Sequence, residues 1–100
     1  MRDIKMQNNS ITEIQQQLEK YFDGLYFCDV DKLQDVFHSD ATYINATDEP
    51  MLKLDMDTYF SIVEKRISPA SQNQLRQDKV IAINLIHDQL AIVHVECVIE

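Results

Sequence analysis

Apolar residues recur at helical spacing through Ile11, Ile14, Leu18, Tyr21, Phe22 and Leu25, with Gln15, Gln16, Glu19, Lys20 and Asp23 between them. This pattern predicts an amphipathic helix over about residues 11–27, buried along one face. Ser10-Ile11-Thr12-Glu13 has the form of a capping box, with Ser10 accepting from the Glu13 amide and Glu13 reaching back to the Ser10 amide. Gly24 is the only glycine in the chain and falls inside this helix. It costs about 1 kcal/mol there relative to alanine, which implies that another backbone passes close by.

Asp29 or Asp31 can cap a second, short helix whose apolar face is Val30, Leu33, Val36 and Phe37 and which stops near His38. Ala41 to Asn45 is rich in β-branched and aromatic residues and reads as a strand. Thr47-Asp48-Glu49-Pro50 carries turn chemistry, and Met51 to Leu54 returns as a second strand. Asp55 stands at an N-cap position before Met56, Tyr59, Phe60, Val63 and Ile67, and Ser68-Pro69 ends this third helix. Asp78 to Ile86 and Leu90 to Ile99 are β-branched runs around His87-Asp88-Gln89, a hairpin signal. Along the second run Ala91, Val93, Val95, Cys97 and Ile99 share one wholly apolar face, which predicts core. Ile92, His94, Glu96 and Val98 share the other, a mixed face of the kind that lines pockets or subunit interfaces.

One hundred residues with 45% apolar and 26% charged content describe a single small globular domain. The net charge of −8, with nine scattered basic residues, argues against nucleic-acid binding, which needs clustered Lys and Arg. No run approaches the roughly 20 apolar residues that span a bilayer, and the first ten residues lack the apolar core of a secretory signal. Cys28 and Cys97 are too few and too far apart in sequence for a metal centre and read as buried thiols. The expected location is the cytoplasm, with neither metal nor cofactor.

Three segments carry a family likeness: Tyr21-Phe22-Asp23-Gly24-Leu25, the turn Asp29-Val30-Asp31-Lys32-Leu33, and Phe37-His38-Ser39-Asp40-Ala41. With the order helix, helix, strand, strand, helix, strand, strand, the chain resembles the nuclear-transport-factor-2-like superfamily, also called SnoaL-like or ketosteroid-isomerase-like. Ser39 replaces the proline usual in that family's entry to its first strand. Within the superfamily the chain is most similar to the bacterial group labelled putative lumazine-binding. The resemblance implies an α+β fold in which a cone-shaped, curved antiparallel sheet wraps around three helices of the N-terminal half. Residues 1–10 would be a disordered tail and residues 11–100 the single cone-fold domain. Members of the superfamily usually have two further strands, so either this chain is cut short or a second subunit covers the open edge in a homodimer.

The resemblance also places Tyr21, Tyr26, Tyr43, Tyr59, Phe60 and His94 near a pocket suited to a flat, mostly apolar small molecule. His94 and Glu96 are neighbours at period two, and a carboxylate beside an imidazole raises its pKa and orients it. They are the candidate acid–base pair. His38 and Asp40, two apart at a helix-to-strand junction, lack a third ligand for a metal. Asp40 is expected to satisfy turn amides and His38 to close the helix end. The favoured expectation is a small-molecule-binding or accessory protein with an aromatic pocket. The alternatives are an isomerase or dehydratase moving protons on a flat substrate, and a structural dimerisation module.

Overall fold

Helix α1 spans Arg2–Phe27 in a computed structural model that describes residues 2–47 and 50–97, with side chains from Ser10 onward. The helix thus begins well before the expected cap, and Ser10 lies within it rather than at its start. Arg2, Lys5, Met6 and Gln7 are good helix formers, and nothing before Ser10 breaks the backbone pattern. The other end is as expected. Cys28 adopts a left-handed backbone, φ 50°, so that the Asp29 amide donates to the Gly24 carbonyl at 2.8 Å and the Cys28 amide to Leu25 at 3.4 Å. These paired bonds form a Schellman motif, which satisfies carbonyls that the helix end would leave open.

Asp29 closes one helix and starts the next. Its side chain accepts from the Lys32 amide at 3.4 Å, capping α2 (Val30–Val36). Strand β1 (Thr42–Asn45) pairs antiparallel with β2 (Leu52–Asp55), Tyr43 facing Leu54 and Ile44 facing Lys53. Two residues of the intervening turn, Asp48 and Glu49, lie outside the described residues. Asp55 then caps α3 (Met56–Lys65), accepting from the Thr58 amide at 2.8 Å. A short 3-10 turn over Ala70–Gln72 leads to β3 (Lys79–His87) and β4 (Leu90–Glu96), an antiparallel hairpin. His87 pairs with Leu90 across it, and the ladder shifts register between Val80 and Ala82. The expected extension of β4 through Val98 and Ile99 lies outside the described residues.

The class is α+β. The described strands form two separate two-stranded ladders, β1–β2 and β3–β4, rather than one continuous sheet. Leu33 and Val63, fully buried, form the core with Met56 and Tyr59. Tyr21, Leu25, Phe37, Tyr43, Leu54 and Phe60 pack around them. This core joins α1, α2, α3 and the β1–β2 hairpin. Hairpin β3–β4 supplies none of the fully buried side chains among the described residues, and it leaves open space against α1.

Candidate functional site

That space is a cleft of about 600 Å³ between α1, the end of α2 and the β3–β4 hairpin. Ile14, Leu18 and Tyr21 line it from α1, at the spacing that places them on one stripe. Ala91, Val93 and Val95 line it from β4, alternating with exposed Ile92, His94 and Glu96. Val36 and Phe37 close its side. Its volume lies within the range of small-molecule sites.

The two ends of the cleft differ. At the inner end Tyr21 lies beside Cys97. Burial, chiefly, pushes the Tyr21 phenol well above the ordinary tyrosine range, with the neighbouring Cys97 adding to the effect. Cys97 is raised as well, mainly by burial. Rings continue inward from Tyr21: Phe37 meets it edge-on at 5.7 Å, Tyr59 meets Phe37 at 6.5 Å, and Tyr43 stacks on Tyr59 at 4.7 Å. The outer end is polar, with Ser10, Glu13 and Gln17 on the helix facing His87, Asp88 and Gln89 of the hairpin turn. The Gln89 amide donates to His87 Nδ1 at 3.0 Å, which leaves the other ring nitrogen to carry a proton.

Of the six residues expected around a pocket, this cleft takes Tyr21. Tyr59 is buried in the core and Tyr43 stacks on it, while Phe60 packs half-buried against the same cluster. Tyr26 is committed elsewhere: its hydroxyl donates to the Gln74 carbonyl, and the Arg76 guanidinium lies 4.7 Å from its ring centre. His94 and Glu96 stand exposed on the outer face of β4, paired across the ladder with Ala82 and Lys79. The mixed face is therefore the solvent side of the hairpin, and the apolar face assigned to core is the cleft wall. An antiparallel hairpin packed on one side carries its polar residues on the other. That signal was in the sequence.

Around His38 the roles reverse. The His38 Nδ1 accepts from the Asp40 amide at 3.0 Å, and both side chains are exposed. Among the described residues no cluster of three or more His, Cys, Asp or Glu could hold a metal ion, and no helix is long and apolar enough to cross a membrane.

A second, smaller hollow of about 400 Å³ lies on the other side of α1 beside Asp23, Arg76 and Asp78. Those three charges are engaged with one another. Arg76 bonds Asp23 at 2.9 Å and Asp78 at 2.5 Å, and Lys32 reaches Asp23 at 3.5 Å. This cluster ties the segment before β3 to α1.

Neither a curated protein nor a solved structure matches this chain. A family profile matches residues 9–100, nearly the whole sequence, under the description "Putative lumazine-binding". The matched span takes in every residue that lines the cleft, and the chain belongs to that family, within the SnoaL-like, nuclear-transport-factor-2-like superfamily.

Proposed function

We propose that the protein binds a small, mostly apolar molecule in the cleft between α1 and the β3–β4 hairpin. The observation that carries this reading is a largely apolar trough of about 600 Å³, walled by Leu18, Tyr21, Phe37, Val93 and Val95 and open at one polar end. Membership of a family described by ligand binding supports it. The alternative of proton-transfer catalysis finds no support from His94 and Glu96, which are exposed on the far side of the hairpin.

The test uses N-phenyl-1-naphthylamine, an uncharged dye that fluoresces on entering an apolar site. Binding should be saturable and should be lost in Ala91→Trp, which fills the trough from a half-buried position on β4. Equal binding by the wild type and the variant would place the dye elsewhere and sink the reading.

Homodimerisation through the sheet belongs to the same proposal. The outer side of the hairpin exposes Ile86 and Ile92, each at least half accessible, and apolar patches of this kind mark association surfaces. Light scattering should give twice the chain mass for the wild type and the chain mass for Ile92→Lys; a monomeric wild type would refute the dimer. Cytoplasmic residence also fits, because Cys28 and Cys97 are in no disulfide.

A further inference from the structure

The cleft has a direction. Its inner end is walled by the rings of Tyr21 and Phe37, which meet edge-on. Its outer end carries two carboxylates on opposite banks, Glu13 on α1 and Asp88 on the hairpin turn. Gln17 and Gln89 stand beside them, and among the described lining residues there is neither lysine nor arginine. His87 has one ring nitrogen occupied by the Gln89 amide. The acceptors at this mouth therefore belong chiefly to acids and amides. An anionic head would meet two like charges with no lysine or arginine to offset them and only the His87 ring N–H and the Gln17 and Gln89 amides as donors, whereas an ammonium or other donor-rich head would find a carboxylate on both banks. The chain's net charge of −8 adds a long-range field of the same sign.

We infer that the cleft selects an amphiphile with a cationic, amine-type head held at its mouth between Glu13 and Asp88 and an apolar body lying along Leu18, Val93 and Val95 toward Tyr21. The inference rests on the ligand-binding reading above and adds to it the chemical class of the ligand.

Three matched probes separate the two readings: 2-naphthylmethylamine, 2-naphthalenemethanol and 2-naphthoate, titrated at pH 7 in low salt by calorimetry. The amine should bind about ten-fold more tightly than the carboxylate, with the alcohol between them, the scale set by one or two partly solvated charge contacts. The double variant Glu13→Gln/Asp88→Asn changes two exposed side chains and should bring the three affinities together without abolishing alcohol binding. Raised salt should narrow the wild-type preference in the same direction. Equal affinities in the wild type, or a preference for the carboxylate, would overturn the head-group assignment while leaving the cleft as a binding site. A preference that survives the double variant would overturn it too. Failure of all three probes to bind would overturn both.

Discussion

A Cβ placed on Gly24 would lie 2.7 Å from Leu33 Cδ2 and 2.8 Å from its Cγ, so the glycine exists to admit that side chain. The close approach expected from the sequence is real, and the partner is mainly a side chain rather than a backbone. Leu33 is fully buried at the centre of the core and has little freedom to retreat. Gly24→Ala would gain about 1 kcal/mol of helix propensity, but overpacking a filled core costs about 1–3 kcal/mol. The net expectation is a loss of roughly 1 kcal/mol, seen as a lower urea midpoint with an unchanged slope. A higher midpoint would mean that Leu33 moves aside freely.

Cys28 sits one turn further along, left-handed at φ 50°, where glycine is the common choice. A β-branched residue tolerates that geometry worst. Cys28→Val should therefore be less stable than Cys28→Gly by about 1–2 kcal/mol, although valine is the more apolar side chain. Comparing the two variants by urea unfolding isolates the backbone contribution. Equal stability would show that packing against the core outweighs the strained φ.

Local chemistry was legible in the sequence and long-range placement was not. An aspartate before an apolar periodic run has few other uses: Asp55 caps its helix as expected, and of Asp29 and Asp31, the two candidates for α2, it is Asp29 that accepts the amide. The end of α1 at Phe27 followed from the same local rules. The cleft did not. Alternation along β4 shows that Val93 and Val95 share a face, but it cannot show whether that face meets a packed helix or open space. A half-buried phenol must find a partner, yet nothing near Tyr26 indicates that its partner is a carbonyl 48 residues away. Tyr43 and Tyr59 resemble pocket tyrosines equally well until their stacking is seen.

Arg76 links three groups at once: the Asp23 and Asp78 carboxylates and the face of Tyr26. The Arg76 hydrogen bond, more than any other influence, holds the Asp23 carboxyl below its ordinary range. A carboxyl depressed in the folded state contributes stability above its unfolded pKa, about 3.9, and that contribution is lost as pH falls through the folded value. Arg76→Gln should therefore be less stable than wild type at pH 7, with the gap narrowing below about pH 4. Thermal unfolding of both proteins across that range tests it. A gap independent of pH would assign Arg76's role to stacking on Tyr26 alone.

At the alkaline end the sign follows the cleft's own tyrosine. Burial, before any neighbouring charge, raises both the Tyr21 and Tyr59 phenols above the ordinary value. A group whose folded pKa is raised contributes stability that is complete below its unfolded pKa, about 10, and is lost as pH rises through the folded one. The protein should thus lose stability progressively above about pH 10, where an ionised phenol favours the unfolded chain. Tyr21→Phe removes a half-buried hydroxyl, so at neutral pH its effect should not exceed about 0.5–1.5 kcal/mol, the usual worth of one hydrogen bond. It also removes one of the three groups here that titrate late, leaving Tyr59 and Cys97, and the loss above pH 10 should become shallower. Urea midpoints at pH 7 and pH 10.5 for wild type and Tyr21→Phe decide the matter. If the two proteins lose stability in parallel over that interval, Tyr21 is not held neutral by its place at the end of the cleft.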